Sequence, residues 1–324
     1  MRALGVNTWV WTSPLTDTEL ERIALRVSGW GFDLLELPVE NIGDWDPRRA
    51  RILLEGLGLD TSVALVMGPG RELVATDPAT RAATQDYLRR VVDTAAEVGS
   101  TVVAGPAYAS VGRTWRLSPS ERAGLRAELT EALAPVVDHA SAAGVRVAVE
   151  PLNRYETSVL NTVDQALEAL ADLPAEHCGL ALDLYHMNIE ERDVADAILR
   201  AAGRIHHVQV CANDRGAPGA DHLEWSRIVS NLGKSSYSGP LVIESFTADN
   251  VTIATAASVW RPLAVSQDAI AVDGLSFLRS ITTHEPPPTS SPGPPTPTAP
   301  DGTAPQAPAP NGAGDGPARR KEPL

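Results

Sequence analysis

The sequence has little cysteine, fewer basic than acidic side chains and no long apolar run. Its two cysteines, Cys178 and Cys211, are too few for a disulfide framework, and no Cys-x-x-Cys pair offers a thiolate metal site. We therefore expect a reducing, cytoplasmic environment. The 27 Lys and Arg against 41 Asp and Glu give a formal charge of −14, which opposes binding to nucleic acid or to an anionic membrane surface.

Targeting and membrane-spanning segments are also missing from the sequence. The first residues, MRALGVNTWVW, lack a basic stretch followed by a long apolar one. No run approaches the roughly 18 apolar residues that are typical of a membrane span. These features predict a protein that is neither exported nor inserted in a membrane.

The composition changes abruptly at His284. Residues 284–324 are rich in Pro, Ala, Gly, Thr and Ser and contain 13 of the 26 prolines. Such a segment cannot bury enough apolar surface to offset the entropy lost on ordering. We predict one folded domain over 1–283 and a disordered tail over 284–324. Docking of the Pro-rich runs on an aromatic-lined recognition domain is an alternative to a passive tail.

Short apolar runs alternate with longer segments of helical periodicity along residues 1–283, which is typical of βα units around a parallel sheet. Eight such units over about 280 residues predict an α/β protein of the (β/α)8 TIM barrel type. A doubly wound open sheet is the alternative, but no Gly-x-Gly-x-x-Gly turn follows the first strand. The predicted strands are Leu4–Val10, Leu34–Leu37, Ser62–Val66, Thr101–Ala104, Val145–Val149, Gly179–Leu182, His206–Val210 and Leu241–Ile243.

Polar side chains stand at the carboxyl ends of the last four strands, where a barrel of this type carries its active site. They are Glu150, Asp183, Gln209 and Glu244. Because unpaired buried carboxylates are costly, this convergence predicts a shared divalent cation. An all-oxygen set suits Mn²⁺ or Mg²⁺. The alternative is that each acid pairs with an arginine or caps the following helix.

The sequence resembles the D-tagatose/D-psicose (allulose) 3-epimerases, within the xylose-isomerase-like TIM barrels. The resemblance is carried by VEPLNRYET, LDLYHMNIEE, NDRGAPG, IESF and SVWRPLAVSQDAIAVDGLSFLRS. It implies a divalent metal, Mn²⁺ or Mg²⁺ with Co²⁺ as a further candidate, held by Glu150, Asp183, Gln209 and Glu244. It also implies a small-molecule sugar substrate and a homo-oligomer, either a dimer or a tetramer.

Two positions depart from the pattern of that family. Gln209 stands where these epimerases have the second histidine of a His-x-His pair, and Ala212 replaces a glutamate. Hydroxypyruvate isomerases resemble this sequence in having a glutamine at that position. His207 lies two residues from Gln209 and should face the same side of the strand, where it would support the metal site.

The resemblance implies inversion of a ketose at C3 through a cis-enediolate, with Glu150 and Glu244 as the two acid/base groups. The O1–O2 end of the sugar would be held by Glu156, His186 and Arg215. Of these, His186 is expected in the loop after strand six. Pairing between Arg215 and Glu156 is expected as well. For the other end of the sugar, the expected residues are Trp9, Trp115, Arg113 and Phe246.

Three other functions remain open at this point. An aldose–ketose isomerase of the hydroxypyruvate type would use the same metal but move a proton between C1 and C2. A non-catalytic sugar-binding barrel would be consistent with the changes at Gln209 and Ala212. A DNA-repair endonuclease of the same superfamily needs several zinc ions and additional histidines, and the charge of −14 opposes duplex binding.

Overall fold

A computed structural model of the protein describes residues 2–283. Eight parallel strands, each paired with its sequence neighbours, close into a barrel in which β8 also pairs with β1. The predicted TIM barrel is thereby confirmed. The predicted tail, residues 284–324, lies outside the described residues, and the domain boundary at His284 stays a prediction.

Each of the eight strands lies where the sequence predicts one, although most of the ends differ. The strands are β1 Leu4–Asn7, β2 Leu34–Val39, β3 Asp60–Leu65, β4 Val102–Gly105, β5 Arg146–Val149, β6 Cys178–Asp183, β7 Ile205–Val210 and β8 Leu241–Ile243. The largest error is in β1, which was predicted to continue to Val10. The Asn7 side chain accepts a hydrogen bond from the Trp9 backbone and starts a 3-10 turn, Thr8–Val10, which ends the strand early.

Ten helices accompany the strands within the described residues. They are α1 Asp17–Trp30, α2 Pro47–Leu57, α3 Pro78–Val98, α4 Pro119–Ala142, α5 Val163–Ala169, α6 Leu184–Glu190, α7 Val194–Arg200, α8 Trp225–Lys234, α9 Val251–Ala256 and α10 Gln267–Thr282. Helices α2, α3 and α4 begin with a proline that follows a side-chain cap, namely Asp46, Asp77 and Ser118.

The main core lies between the outside of the barrel and the helices, and includes Leu35 and Leu37 of β2. Side chains alternate along a strand, so Glu36, between these leucines, faces the barrel interior. Small apolar residues fill part of that interior: Val102, Ala104, Ala148 and Ala181. The interior also contains a connected polar group: Asn7, Glu36, Ser62, His207 and Gln209.

Among residues 2–283, no helix combines the length and the hydropathy needed to cross a lipid bilayer.

Candidate active site

The acidic side chains predicted at the strand ends are buried at the carboxyl end of the barrel. Asp183 is the last residue of β6, and Glu150 and Glu244 directly follow β5 and β8. Their exposed fractions are 6% for Glu150, 1% for Asp183 and 4% for Glu244. The strand register places Gln209 of β7 beside Asp183. The structure thus brings the four predicted residues to the same end of the barrel.

Arg215 joins two of these acids. Its Nη1 donates to Asp183 Oδ2 at 2.6 Å and to Glu244 Oε2 at 2.9 Å. Among residues 2–283, the ion pairs of Arg215 are with Asp183 and Glu244, and its expected pairing with Glu156 stays a prediction. Arg215 lies in the turn after β7, where its backbone has a left-handed φ of 71°.

The Arg215 guanidinium lies between two aromatic rings. Its Cζ is 4.2 Å from the Tyr185 ring centroid and 4.5 Å from that of Phe246. Cations bind favourably to aromatic faces, and the rings also limit how far the guanidinium can move. The cluster therefore contains one fixed monovalent cation, against the charges of Glu150, Asp183 and Glu244.

Burial and the excess of acidic groups raise the pKa values of two of them. Burial raises the pKa of Glu150 well above its usual range, and the nearby Glu244 and Asp183 carboxylates raise it further. Burial likewise raises the pKa of Glu244, and Asp183 adds to this effect while Arg215 opposes it. A carboxyl group with a raised pKa releases its proton less readily, and a further cation nearby would oppose this effect.

Gln209 supplies a buried oxygen with no partner. Its amide Nε2 donates to Glu36 Oε1 and to Glu244 Oε1, both at 2.9 Å. Within residues 2–283, its Oε1 has no hydrogen-bond partner although it is buried. Together with the carboxylates, this free amide oxygen fits the oxygen-rich coordination that Mn²⁺ and Mg²⁺ prefer. The residues present thus fit a hard divalent cation.

His186 lies in the first turn of α6 and not in the loop that the sequence predicts. The helix starts immediately after β6, because Asp183 Oδ1 accepts a hydrogen bond from the Tyr185 backbone N–H and caps it. Its Nε2 is 3.5 Å from both Glu150 Oε1 and Asp183 Oδ2 and 3.1 Å from Arg215 Nη2. Glu150, Asp183 and His186 can place one ligand atom each within 4.8 Å of one another.

The donors around His186 oppose its use as a metal ligand. Its Nδ1 accepts a hydrogen bond from the Asn153 backbone N–H at 3.1 Å. Burial lowers the pKa of His186 below its usual range. Arg215 Nη2, which can only donate, lies 3.1 Å from Nε2 and faces the lone pair that a metal ion would need.

Glu156 reaches the cluster through Asn153. Its Oε1 accepts from Asn153 Nδ2 at 2.8 Å, and the same Nδ2 lies 2.9 Å from His186 Nδ1. Glu156 is therefore linked to His186 through the Asn153 amide.

The four residues expected at the other end of the sugar separate into two pairs. The rings of Trp9 and Phe246 meet edge to face with centroids 6.3 Å apart, and Phe246 also contacts Arg215. Arg113 instead donates to Glu72 Oε2 at 2.7 Å and lies 4.6 Å from the Trp115 ring centroid. No hydrogen bond or ion pair of the described residues connects Arg113 or Trp115 with the acidic cluster.

Sequence reasoning missed three residues of the site: Glu36, Asn153 and Tyr185. Glu36 could have been found, because an acidic residue inside the apolar run FDLLELPVE is expensive to bury without partners. His207 does face the same side as Gln209, and its Nε2 lies 2.6 Å from Glu36 Oε2. Although burial acts to raise the pKa of Glu36, the His207 imidazole and hydrogen bonds from His207, Gln209 and Ser62 lower it to about 2.

The closed (β/α)8 barrel carries buried acids at the carboxyl ends of β5, β6 and β8, the face on which TIM barrel enzymes have their active sites. The sequence model of the family described as xylose isomerase-like TIM barrel matches residues 25–281. The protein belongs to this family.

The similar proteins identify a narrower group within the family. A probable ketose 3-epimerase of Synechocystis sp. is 34% identical over 85% of this chain and 95% of its own length. A ketose 3-epimerase of Arthrobacter globiformis is 33% identical over 86% and 96%. The solved structure of an L-ribulose 3-epimerase has a TM-score of 0.81 and 29% identity, covering 87% of this chain and 95% of its own. These findings confirm the resemblance to ketose 3-epimerases and the enzyme class, an isomerase of the epimerase type.

Proposed function

We propose that the protein is a metal-dependent ketose 3-epimerase that inverts C3 of a free ketose. The observation that carries this proposal is the pair of buried carboxyls, Glu150 and Glu244, whose pKa values are raised beside Asp183 and the unpartnered oxygen of Gln209. Relatives named as ketose and L-ribulose 3-epimerases support the same reaction.

The cation would be held by Glu150, Asp183, Gln209 and Glu244. Their oxygen donors favour Mn²⁺ or Mg²⁺, with Co²⁺ as a weaker candidate. When bound, such an ion supplies electrophilic stabilisation of the negative charge that develops on the substrate oxygens. Arg215 would remain beside Asp183 and Glu244 as a second, fixed positive charge.

Glu150 and Glu244 are the proposed acid/base pair. One carboxylate would remove the proton from C3 to give the enediolate, and the other would deliver a proton to the opposite face. They approach the site from β5 and β8, so they can lie on two sides of a bound sugar. Carboxyls with raised pKa values are suited to this task, because a proton can be accepted and returned near neutral pH.

His186, Arg215 and Glu156 would orient the O1–O2 end of the sugar. His186 Nε2 lies at the site 3.1 Å from Arg215 Nη2, whose guanidinium can donate to a substrate oxygen. Glu156 would accept from a substrate hydroxyl near the same end. Phe246 and Trp9 would contact the carbon-bound hydrogens of the other end. We assign Arg113 and Trp115 to the structure of the loop after β4.

Two further features of the proposal concern the setting of the enzyme. The buried free thiols of Cys178 and Cys211 are consistent with a reducing cytoplasm. A dimer or tetramer is carried over from the family resemblance, and sedimentation of the purified protein would test it.

Incubation in D₂O with Mn²⁺ and a panel of ketoses, such as D-allulose, D-tagatose and L-ribulose, tests the proposal. Deuterium at C3 of both epimers is expected. Deuterium only at C1 or C2 would replace the proposal by an aldose–ketose isomerase. Exchange should be lost in Glu244→Gln and retained in Glu55→Gln, a matched control on the exposed side of α2.

A further inference from the structure

Glu36 is a fully buried carboxylate that is surrounded by hydrogen-bond donors. Its Oε1 accepts from Asn7 Nδ2 at 3.0 Å and from Gln209 Nε2 at 2.9 Å. Its Oε2 accepts from Ser62 Oγ at 2.8 Å and lies 2.6 Å from His207 Nε2. All four neighbouring side chains can donate hydrogen bonds, so Glu36 acts toward them only as an acceptor.

This arrangement restricts the side-chain amide of Gln209. An amide has a donor end and an acceptor end, and the two have nearly the same shape. The NH₂ group of Gln209 bridges two carboxylate oxygens, Glu36 Oε1 and Glu244 Oε1. Rotation of the amide by 180° would place its oxygen against these two acceptors. The contacts therefore fix the orientation, with Oε1 on the remaining, unpartnered side.

We propose that Glu36 is a positioning residue that holds the amide oxygen of Gln209, and not its NH₂ group, toward the cation. This inference rests on the proposed metal-dependent function. It assigns Glu36 no contact with the cation or the substrate. Its role is specific to a glutamine at position 209, since a side chain with identical ends would need no such orientation.

The polar group also explains why a carboxylate is preferable to a neutral amide at position 36. The substitution Glu36→Gln keeps the shape but gives this position its own NH₂ group. In that variant the Gln209 amide could rotate and direct its oxygen toward the new NH₂ group, with only the contact to Glu244 Oε1 still opposing the rotation. The donor end of Gln209 would then face the cation for part of the time. Partners that orient metal ligands typically change metal affinity by about 10- to 100-fold when they are replaced.

Glu36→Gln tests the inference through Mn²⁺ binding, followed by electron paramagnetic resonance of the free ion. We expect Mn²⁺ affinity about 10-fold or more below that of the unsubstituted protein. Ser62→Ala is the matched control. It removes a hydrogen bond to Glu36 but leaves the Gln209 NH₂ group bonded to both Glu36 and Glu244. Its Mn²⁺ affinity should stay within about two-fold of the unsubstituted protein.

A double-substitution cycle separates positioning from a general structural effect. In a Gln209→Ala background there is no amide to orient, so Glu36→Gln should cause no further loss of Mn²⁺ affinity. An equal loss in both backgrounds would overturn the inference. Equal affinity of Glu36→Gln and the unsubstituted protein would overturn it as well.

A measurement on the unsubstituted protein covers the case in which Glu36→Gln does not fold. With ¹⁵N-labelled protein and Mg²⁺, both side-chain amide protons of Gln209 should be protected from exchange, because both are bonded to carboxylates. The resonance is assigned by its absence in Gln209→Ala. Rapid exchange of these protons would contradict the inference.

Failure of the unsubstituted protein to bind Mn²⁺ at all would overturn both this inference and the proposed function. Epimerisation together with normal Mn²⁺ binding in Glu36→Gln would overturn the inference alone.

Discussion

Arg215 donates a hydrogen bond of 2.6 Å to Asp183, and both side chains are buried. The same nitrogen also donates to Glu244. A permanent positive charge thus lies within the acidic cluster before any metal is bound. Breaking a buried ion pair by removing one partner leaves the other charge uncompensated, which costs about 3 to 5 kcal/mol.

Arg215→Met should lower the free energy of unfolding by about this amount in EDTA, because Asp183 and Glu244 lose their shared cation. Saturating Mn²⁺ should restore part of the loss by supplying another cation, while epimerase activity stays absent. Urea unfolding with EDTA and with Mn²⁺ measures both effects. In Arg261→Met, which removes an exposed pair with Asp214, the loss should be below about 1 kcal/mol. Equal losses of unfolding free energy in the two variants would contradict the role of Arg215 as the shared cation of Asp183 and Glu244.

Metal binding should release protons. Burial and neighbouring carboxylates raise the pKa values of Glu150 and Glu244, so protons compete with a divalent cation for these two groups. Apparent Mn²⁺ affinity should therefore rise with pH and fall as the solution is acidified. Calorimetry in two buffers with different ionisation enthalpies counts the released protons.

Glu150→Gln provides the comparison for this experiment. It removes one of the two titrating groups, so fewer protons should be released per Mn²⁺ ion bound. A release of zero protons from the unsubstituted protein at neutral pH would show that both carboxyls are already ionised without metal.

Arg113→Gln distinguishes a structural from a substrate-binding role for this arginine. Arg113 forms an ion pair with Glu72 and donates to the Val74 and Ala75 carbonyls. We expect a loss of stability of about 1 kcal/mol, since the pair is partly exposed, with kcat and KM within about two-fold. Steady-state kinetics and thermal unfolding measure the two effects. A large rise in KM with unchanged stability would support the substrate contact expected from the sequence.

The fold could be predicted because parallel strands buried on both faces appear as apolar runs separated by helical segments. The strand ends could not, since they depend on local backbone bonds. Asn7 ends β1 by starting a 3-10 turn, and Asp183 starts α6 directly after β6. Because α6 starts directly after Asp183, His186 lies in a helix and not in the loop that the sequence predicts.

The site could be predicted in part for a similar reason. Residues after apolar runs are brought together by the closure of the barrel, which accounts for Glu150, Asp183, Gln209 and Glu244. The position of Arg215 depends on a left-handed backbone conformation in a turn, which the residue pattern does not specify. Its partners, Asp183 and Glu244, could therefore be found only from the structure.

Gln209→His should change which metal the protein prefers. The amide oxygen of glutamine suits hard ions, whereas an imidazole nitrogen binds Co²⁺ more strongly than Mg²⁺. One ring nitrogen can donate to Glu36 or Glu244 while the other faces the cation, so the substitution is compatible with the surrounding acceptors. After dialysis against equal concentrations of both ions, elemental analysis should give a bound Co²⁺ to Mg²⁺ ratio about 10-fold or more above that of the unsubstituted protein. His207→Gln, on the same strand and also beside Glu36, should leave this ratio unchanged. The same ratio in all three proteins would mean that residue 209 does not contact the ion.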